Sequence, residues 1–136
     1  MLPLFADYRV FSKARPGAAR NGAFLRALLD EPEAGAQFLA YDGATPVGFA
    51  TLYYTRSSVS AAVLGTLNDL YVAPEARGGG VGRALMDHCA RAVAARGLPR
   101  MIWYTHTTNR TAQRLYDTFE AGVDTWLQYS LPVGKG

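Results

Sequence analysis

The chain has 136 residues, 49% of them hydrophobic and 18% charged, the profile of one globular domain with its own core and not of a disordered or fibrous chain. Net charge is +3, but of the 14 basic residues only Lys13 and Lys135 are lysines, and the arginines are dispersed. No basic run marks a nucleic-acid partner, one cysteine excludes an intramolecular disulfide, and no apolar stretch approaches the ~20 residues needed to cross a membrane.

The opening "MLPLFADYRV" carries Asp7 and has no apolar run fit for a signal peptide. Together with the lone Cys89, it leads to the expectation of a cytoplasmic protein. Leu4, Phe5, Tyr8 and Phe11 fall at helical spacing, "KARPG" interrupts, and Phe24, Leu25, Leu28 and Leu29 resume the pattern up to "DEPEAG". "QFLAYDGATPVGFATLYYT" reads as a hairpin, with a short run at 37–41, a turn at Asp42-Gly43 and a longer strand over 46–55. After the polar connection "RSSVSAA", "VLGTLNDLYV" at 63–72 is strand-like and stops at Pro74.

From Val81 the apolar period changes. Val81, Leu85, Cys89 and Val93 recur every four residues, as in an amphipathic helix, with Gly97 placed as its C-cap. "RMIWYTH" at 100–106 reads as another strand, 109–119 as a helix, and "TWLQYSL" at 125–131 as a final strand. His88 and Cys89 read as structural, and two histidines and one cysteine at no ligand spacing predict no metal. The whole, 1–136, reads as a single domain without repeats or linkers.

Residues 64–106 thus read strand, glycine loop, helix, strand, a unit that joins parallel strands by a crossover. In "PEARGGGVGRALM" four glycines crowd the helix start at Gly78, Gly79, Gly80 and Gly82. Glycine weakens a helix by roughly 1 kcal/mol against alanine. It also lets backbone N–H groups curl round an anion at the positive end of the helix dipole. The loop therefore reads as a phosphate cradle bounded by Arg77 and Arg83. A dinucleotide fingerprint needs glycine at 83 or 85, which hold Arg83 and Leu85, and the Gly-Lys-Ser/Thr of a P-loop is absent.

What remains is Arg-x-x-Gly-x-Gly at Arg77, Gly80 and Gly82 after "LNDLYV", and Asn-x-x-Ala-x-x-x-Tyr at Asn109, Ala112 and Tyr116. This pair of motifs, in this order, resembles the acetyl-CoA-binding half of the GNAT superfamily of N-acetyltransferases, over roughly residues 20–131. The resemblance implies an α/β fold with a mixed, twisted sheet of five to seven strands and about four helices. Its central parallel strands would splay at 70–72, and the family's first strand would be missing. It implies acetyl-CoA as co-substrate, held by Leu70, Tyr71 and Val72 on the strand and by Arg77, Gly78, Gly79, Gly80, Val81, Gly82 and Arg83 in the cradle. Asn109 and Ala112 would flank the pantetheine, with Arg83, Arg110 and Arg114 near the 3′-phosphate.

The N–H groups of Leu70 and Val72 would serve the pantetheine and the acetyl carbonyl, and Tyr116 would protonate the departing thiolate. Polyamine-type relatives carry Glu-Asp where this chain has Asn68-Asp69. Asn68 cannot accept a proton, which leaves Asp69 and His106 as candidate bases, or water relaying the proton to bulk. The acceptor implied is a small-molecule amine, with Tyr8, Tyr53, Tyr54, Trp103, Trp126 and Tyr129 available to line an aromatic cleft. A homodimer is expected, with "YTRSSVSA" a candidate contact. A protein-lysine or N-terminal acetyltransferase, a non-catalytic acyl-CoA sensor and, from pI alone, a nucleic-acid module are the alternatives.

Overall fold

A computed structural model describes residues 25–134. The helical spacing at Leu4–Phe11, Tyr8 and the question of a first strand before 25 lie outside the described residues. Contacts cluster into two units, Met1–His106 and Thr107–Gly136.

In the first unit, a helical segment at 25–29 (α1) precedes β1 (Gly35–Asp42), β2 (Thr45–Ser57) and β3 (Ala62–Val72). A 3-10 turn at Pro74–Ala76 leads through the glycine loop to helix α2 (Val81–Ala95), and β4 (Met101–Trp103) follows. The sheet order is β1-β2-β3-β4, antiparallel except for the parallel pair β3–β4. The β1–β2 hairpin turns on Gly43-Ala44, one residue later than Asp42-Gly43, because Asp42 still pairs with Thr45. Gly43 takes the positive φ of 61° that this two-residue turn demands of its first position.

Helix α2 packs on β1, β2 and β3 through the stripe that the four-residue period marks: Leu85, Met86, Cys89 and Val93 are all buried. It ends in a Schellman cap, with Gly97 at φ 72° and the N–H groups of Gly97 and Leu98 donating to Ala94 O (2.9 Å) and Val93 O (3.2 Å). Burial pushes the Cys89 thiol up to about 12, as befits a packed, unreactive side chain. Two glycines let the helix lie close. A Cβ on Gly48 would stand 3.2 Å from Val81 Cγ1 and 3.3 Å from Leu85 Cδ1, and one on Gly65 would overlap Val93 Cγ2. On the opposite face, Leu25 from α1 packs with Phe49, Tyr71, Ala73 and Leu39.

In the second unit, helix α3 (Arg110–Tyr116) is followed by residues 120–133, which form no helix or strand. The expected strand at 125–131 is therefore not formed. Alternation alone does not make a strand, which needs a neighbouring ladder to satisfy its backbone. The described residues hold four strands and three α-helices, a mixed α/β fold.

If the glycine contact sets the helix height, Gly65→Ala lowers unfolding free energy by about 1–3 kcal/mol. In a Val93→Ala background, where the overlapping methyl is gone, the same substitution costs clearly less. A denaturant double-mutant cycle with no coupling between the two positions contradicts this packing.

Candidate active site

The site in the first unit is built where β3 leaves its parallel neighbour. β3 pairs with β4 only from Gly65 to Leu67, opposite Met101 to Trp103, yet runs on to Val72. At its end the Ala73 N–H donates to Val47 O at 2.8 Å. Since backbone direction alternates along a strand, the N–H groups of Leu70 and Val72 are directed away from β2. The β3–β4 pairing ends at Leu67, ahead of the divergence expected at 70–72. β4 is shorter than the expected 100–106, and His106 lies exposed beyond its end.

Val72 leads within a few residues into the glycine loop. Gly78 and Gly80 adopt φ of 83° and 84°, and Gly80 is the N-cap of α2. No side chain caps this helix, so the amides of its first turn are not silenced by a serine or aspartate. Cβ atoms built on Gly78 and Gly80 would meet nothing within 4 Å, and one on Gly79 only Ala76 O at 3.6 Å. The loop is exposed and open, and its uncapped helix-start N–H groups suit an anion such as phosphate. Side chains at 78 and 80 would add backbone strain; at 79 they would not.

Arg77 folds back on the strand. Its Nε donates to Val72 O at 3.0 Å and its guanidinium lies 5.7 Å from the Tyr71 ring centroid. Arg77 thereby pins the loop to the end of β3. Tyr71 itself is buried beside Phe49, 6.1 Å between centroids, and by the same alternation its N–H is directed toward β2. Arg83 is half-exposed and pairs with Asp87 at 3.5 Å, a weak i,i+4 contact.

The candidate bases sit differently from a regular strand's expectation. Thr51 faces Asp69 while Leu52 faces Leu67, so Asn68 is the extra residue of a β-bulge. Asp69 consequently joins Phe49, Thr51 and Tyr71 on the face away from α2, where it is 6% exposed. Asn68 is exposed, and its Nδ2 donates to Asp69 Oδ1 at 3.2 Å. Burial raises the Tyr53 phenol above its ordinary range, and the neighbouring Asp69 charge adds to the effect.

A polar row missed in the sequence crosses this face. Gln37 pairs with Thr51, which pairs with Asp69. The Nε2 of Gln37 and the Oγ1 of Thr51 are buried and find no hydrogen-bond partner among the described residues. The available signal was one polar residue in each of two apolar strands, "AQFLA" and "FATLY"; the cross-strand register that aligns them is invisible in sequence.

Of the other aromatic candidates, Tyr54 lies under Arg96, 4.2 Å from its ring centroid, on the face opposite Tyr53. Trp103 is half-buried, and Trp126 and Tyr129 are exposed. His88 stacks edge-on with Phe38 at 4.6 Å, a structural contact.

The second unit carries the other motif on α3. Asn109 is the helix N-cap, its Oδ1 accepting from the Ala112 N–H at 3.2 Å; Nδ2 is not used in that cap. Ala112 and Tyr116 are partly buried, whereas Arg110 and Arg114 are exposed. Burial raises the Tyr116 phenol above its ordinary value of 10.0, so the hydroxyl keeps its proton throughout the physiological range. Among the described residues no group of three or more histidine, cysteine or acidic side chains is placed to hold a metal ion, and no helix is long and apolar enough to cross a membrane.

Comparison with known proteins agrees with this geometry. The family model for the acetyltransferase (GNAT) family matches residues 4–120. The chain is 34% identical over 132 residues to the uncharacterized N-acetyltransferase YhfO of Bacillus subtilis (strain 168), spanning 96% of this chain and 88% of that one. It is 28% identical over 120 residues to the thialysine N-epsilon-acetyltransferase of Caenorhabditis elegans, spanning 88% and 74%. A crystal structure of a probable acetyltransferase superposes with a TM-score of 0.85 at 30% identity, covering 99% of this chain and 91% of that one.

Thr51→Val replaces a buried, unpartnered hydroxyl with a methyl of similar shape, so stability should hold or rise by up to about 1 kcal/mol. A loss greater than that in denaturant unfolding means the hydroxyl serves something held in the row.

Proposed function

The chain belongs to the acetyltransferase (GNAT) family, and we propose that it transfers the acetyl group of acetyl-CoA to a primary amine by direct attack in a ternary complex. The observation that supports this most is the junction of β3 with α2. There a strand edge that has left β4 is followed, within one short loop, by an uncapped helix start lined with glycine. An extended thioester ligand with a pyrophosphate needs both surfaces in that order. The name of the thialysine relative, an enzyme acting on an amine nitrogen, supports a primary amine as acceptor.

Acetyl-CoA, when bound, supplies an activated thioester acetyl group. The backbone N–H groups from Gly78 to Arg83 receive its pyrophosphate, and exposed arginines such as Arg110 and Arg114 its 3′-phosphate. The Leu70 and Val72 N–H groups donate to the pantetheine and to the acetyl oxygen, where negative charge grows as the amine attacks. Tyr116 Oη–H gives its proton to the leaving sulfur; such acid catalysis is typically worth about 10²- to 10⁴-fold.

Neither Asn68 nor Asp69 stands ready as a base. Asn68 holds the position at which polyamine-type relatives place glutamate, and it is tied to Asp69, whose carboxylate is buried on the face away from α2. Water therefore relays the amine's proton to bulk, and the enzyme draws on the neutral amine fraction, about one in 2,500 at pH 7 for an alkylamine of pKa near 10.4. kcat/KM then climbs with pH toward the amine's own pKa, and Asp69→Asn and His106→Gln each leave kcat within tenfold.

Two measurements test the reading. Acetyl-CoA at about 100 times its dissociation constant should stabilise the chain by roughly 2.7 kcal/mol. Gly79→Asp, at the unstrained position of the loop, should leave the free protein's melting temperature unchanged while abolishing the ligand-induced rise. An equal rise in both proteins removes the cradle from the account.

Tyr116→Phe should leave acetyl-CoA affinity nearly unchanged and lower kcat at least tenfold, followed by thiol release with an amine panel. Because burial raises this phenol, the wild-type rate should lose its protonated acid only above pH 10. A silent Tyr116→Phe assigns the residue to packing alone.

A further inference from the structure

Asn68 stands where two features of β3 meet. It is the extra residue of the bulge, opposite no partner on β2, and the first residue beyond the pairing with β4, which ends at Leu67. It is exposed. In a regular strand neighbouring side chains point to opposite faces, and Asn68 would not face Asp69. The bulge brings the two together, and Asn68 Nδ2 donates to Asp69 Oδ1 at 3.2 Å. That contact decides which way the amide points. A carboxylate only accepts, so the atom turned toward Asp69 has to be the nitrogen. Asp69 is 6% exposed and held in the row with Thr51 and Gln37, so Asn68 Oδ1 is directed away from a fixed anchor. Among the described residues no group donates to that oxygen. Satisfying the buried carboxylate needs only the nitrogen. An oriented acceptor is left over at the open edge.

We propose that Asn68 Oδ1 docks the acceptor by taking one N–H of its neutral amine, and that Asp69 is the residue that positions it. The inference rests on the acetyltransferase reading and deepens it. Leu70, two residues further along the same open edge, has its N–H directed off β2 and in that reading receives the acetyl oxygen. With one N–H held at Asn68, the amine's lone pair is left to face the acetyl carbon. The neutral amide also sets the class of acceptor. A carboxylate at this position would pair with the ammonium form and oppose its deprotonation; an amide oxygen brings no charge to do so. The site therefore suits weakly basic primary amines, α-amino groups above all. At pH 7 an α-amino group is neutral in roughly one molecule in ten, against about one in 2,500 for an alkylamine.

Glycinamide, which carries an α-amino group, and n-butylamine serve as probes, with each variant checked for folding by circular dichroism. Glycinamide should exceed n-butylamine in kcat/KM at pH 7. Asn68→Ala should raise the KM of either amine about 3- to 10-fold, the worth of one net hydrogen bond, and leave the acetyl-CoA-induced rise in melting temperature as it was. Asn68→Asp should lower the n-butylamine KM at pH 7 by about tenfold or more, because its carboxylate binds the ammonium form. That drop should fade as pH approaches the amine's own pKa near 10.4. Asp69→Leu removes the anchor and should raise the amine KM by less than Asn68→Ala does, with kcat within tenfold. Side-chain amide NMR reads the docking without turnover: in the presence of coenzyme A, glycinamide should shift the Asn68 Nδ2 signals saturably. Amine KM values unchanged in both Asn68 variants, or no saturable shift of those signals, overturn the docking while acetyl transfer stands. A preference for n-butylamine at pH 7 overturns the acceptor class. A saturable shift in a chain that acetylates neither probe supports the docking and overturns the transfer reading instead.

Discussion

The close seating of α2 on β2 and β3 governs everything that follows in the first unit. Gly48 and Gly65 supply it, one under the first turn of the helix at Val81 and Leu85, the other under Val93 near its end. With side chains at either position the helix would ride higher or tilt, because interiors pack too tightly to absorb a methyl without displacement. The seating fixes where the helix begins relative to the end of β3. Gly48 is the register partner of Val72, so the residue that lets the helix start come close also marks the strand end beside it. Anion cradle and strand edge are thereby joined by packing and not by the flexible loop alone.

A second constraint acts along β3. The bulge at Asn68 shifts alternation by one residue, turning Asp69 away from α2 while leaving Leu70 and Val72 with amides directed off β2. One irregularity thus affects both halves of the chemistry. It keeps the backbone donors in phase with the open edge, and it withdraws the nearest carboxylate to a buried row with Thr51 and Gln37. A buried carboxylate supported by an asparagine amide is poorly placed to exchange protons with bulk.

Strong periodicity was legible from the residues alone. The four-residue stripe from Val81 to Val93, the cap at Gly97 and the strands over 46–55 and 63–72 all reappear, within two residues at most boundaries, because burial of an apolar face dominates local preference there. The glycine loop was legible because it contradicts helix propensity, and such contradictions mark functional positions. Cross-strand information was not. The bulge, the Gln37–Thr51–Asp69 row and the early end of β4 arise from register, which depends on residues far apart in sequence. The run at 125–131 misled for a related reason: its pattern is that of a strand, but a pattern does not supply a partner. Asn109 shows that two readings of one residue can coexist, since the side chain that caps α3 keeps its Nδ2 outside the cap.

The central claim is that the β3 edge and the α2 cradle form one binding surface for an acyl-CoA. Amide chemical shifts recorded during an acetyl-CoA titration test it most directly, because each donor reports individually. The expected result is that the largest saturable shifts fall on Leu70 and Val72 and on the amides from Gly78 to Arg83, with one dissociation constant for both groups. Shifts confined to other parts of the chain, or two groups saturating with unrelated constants, would contradict it.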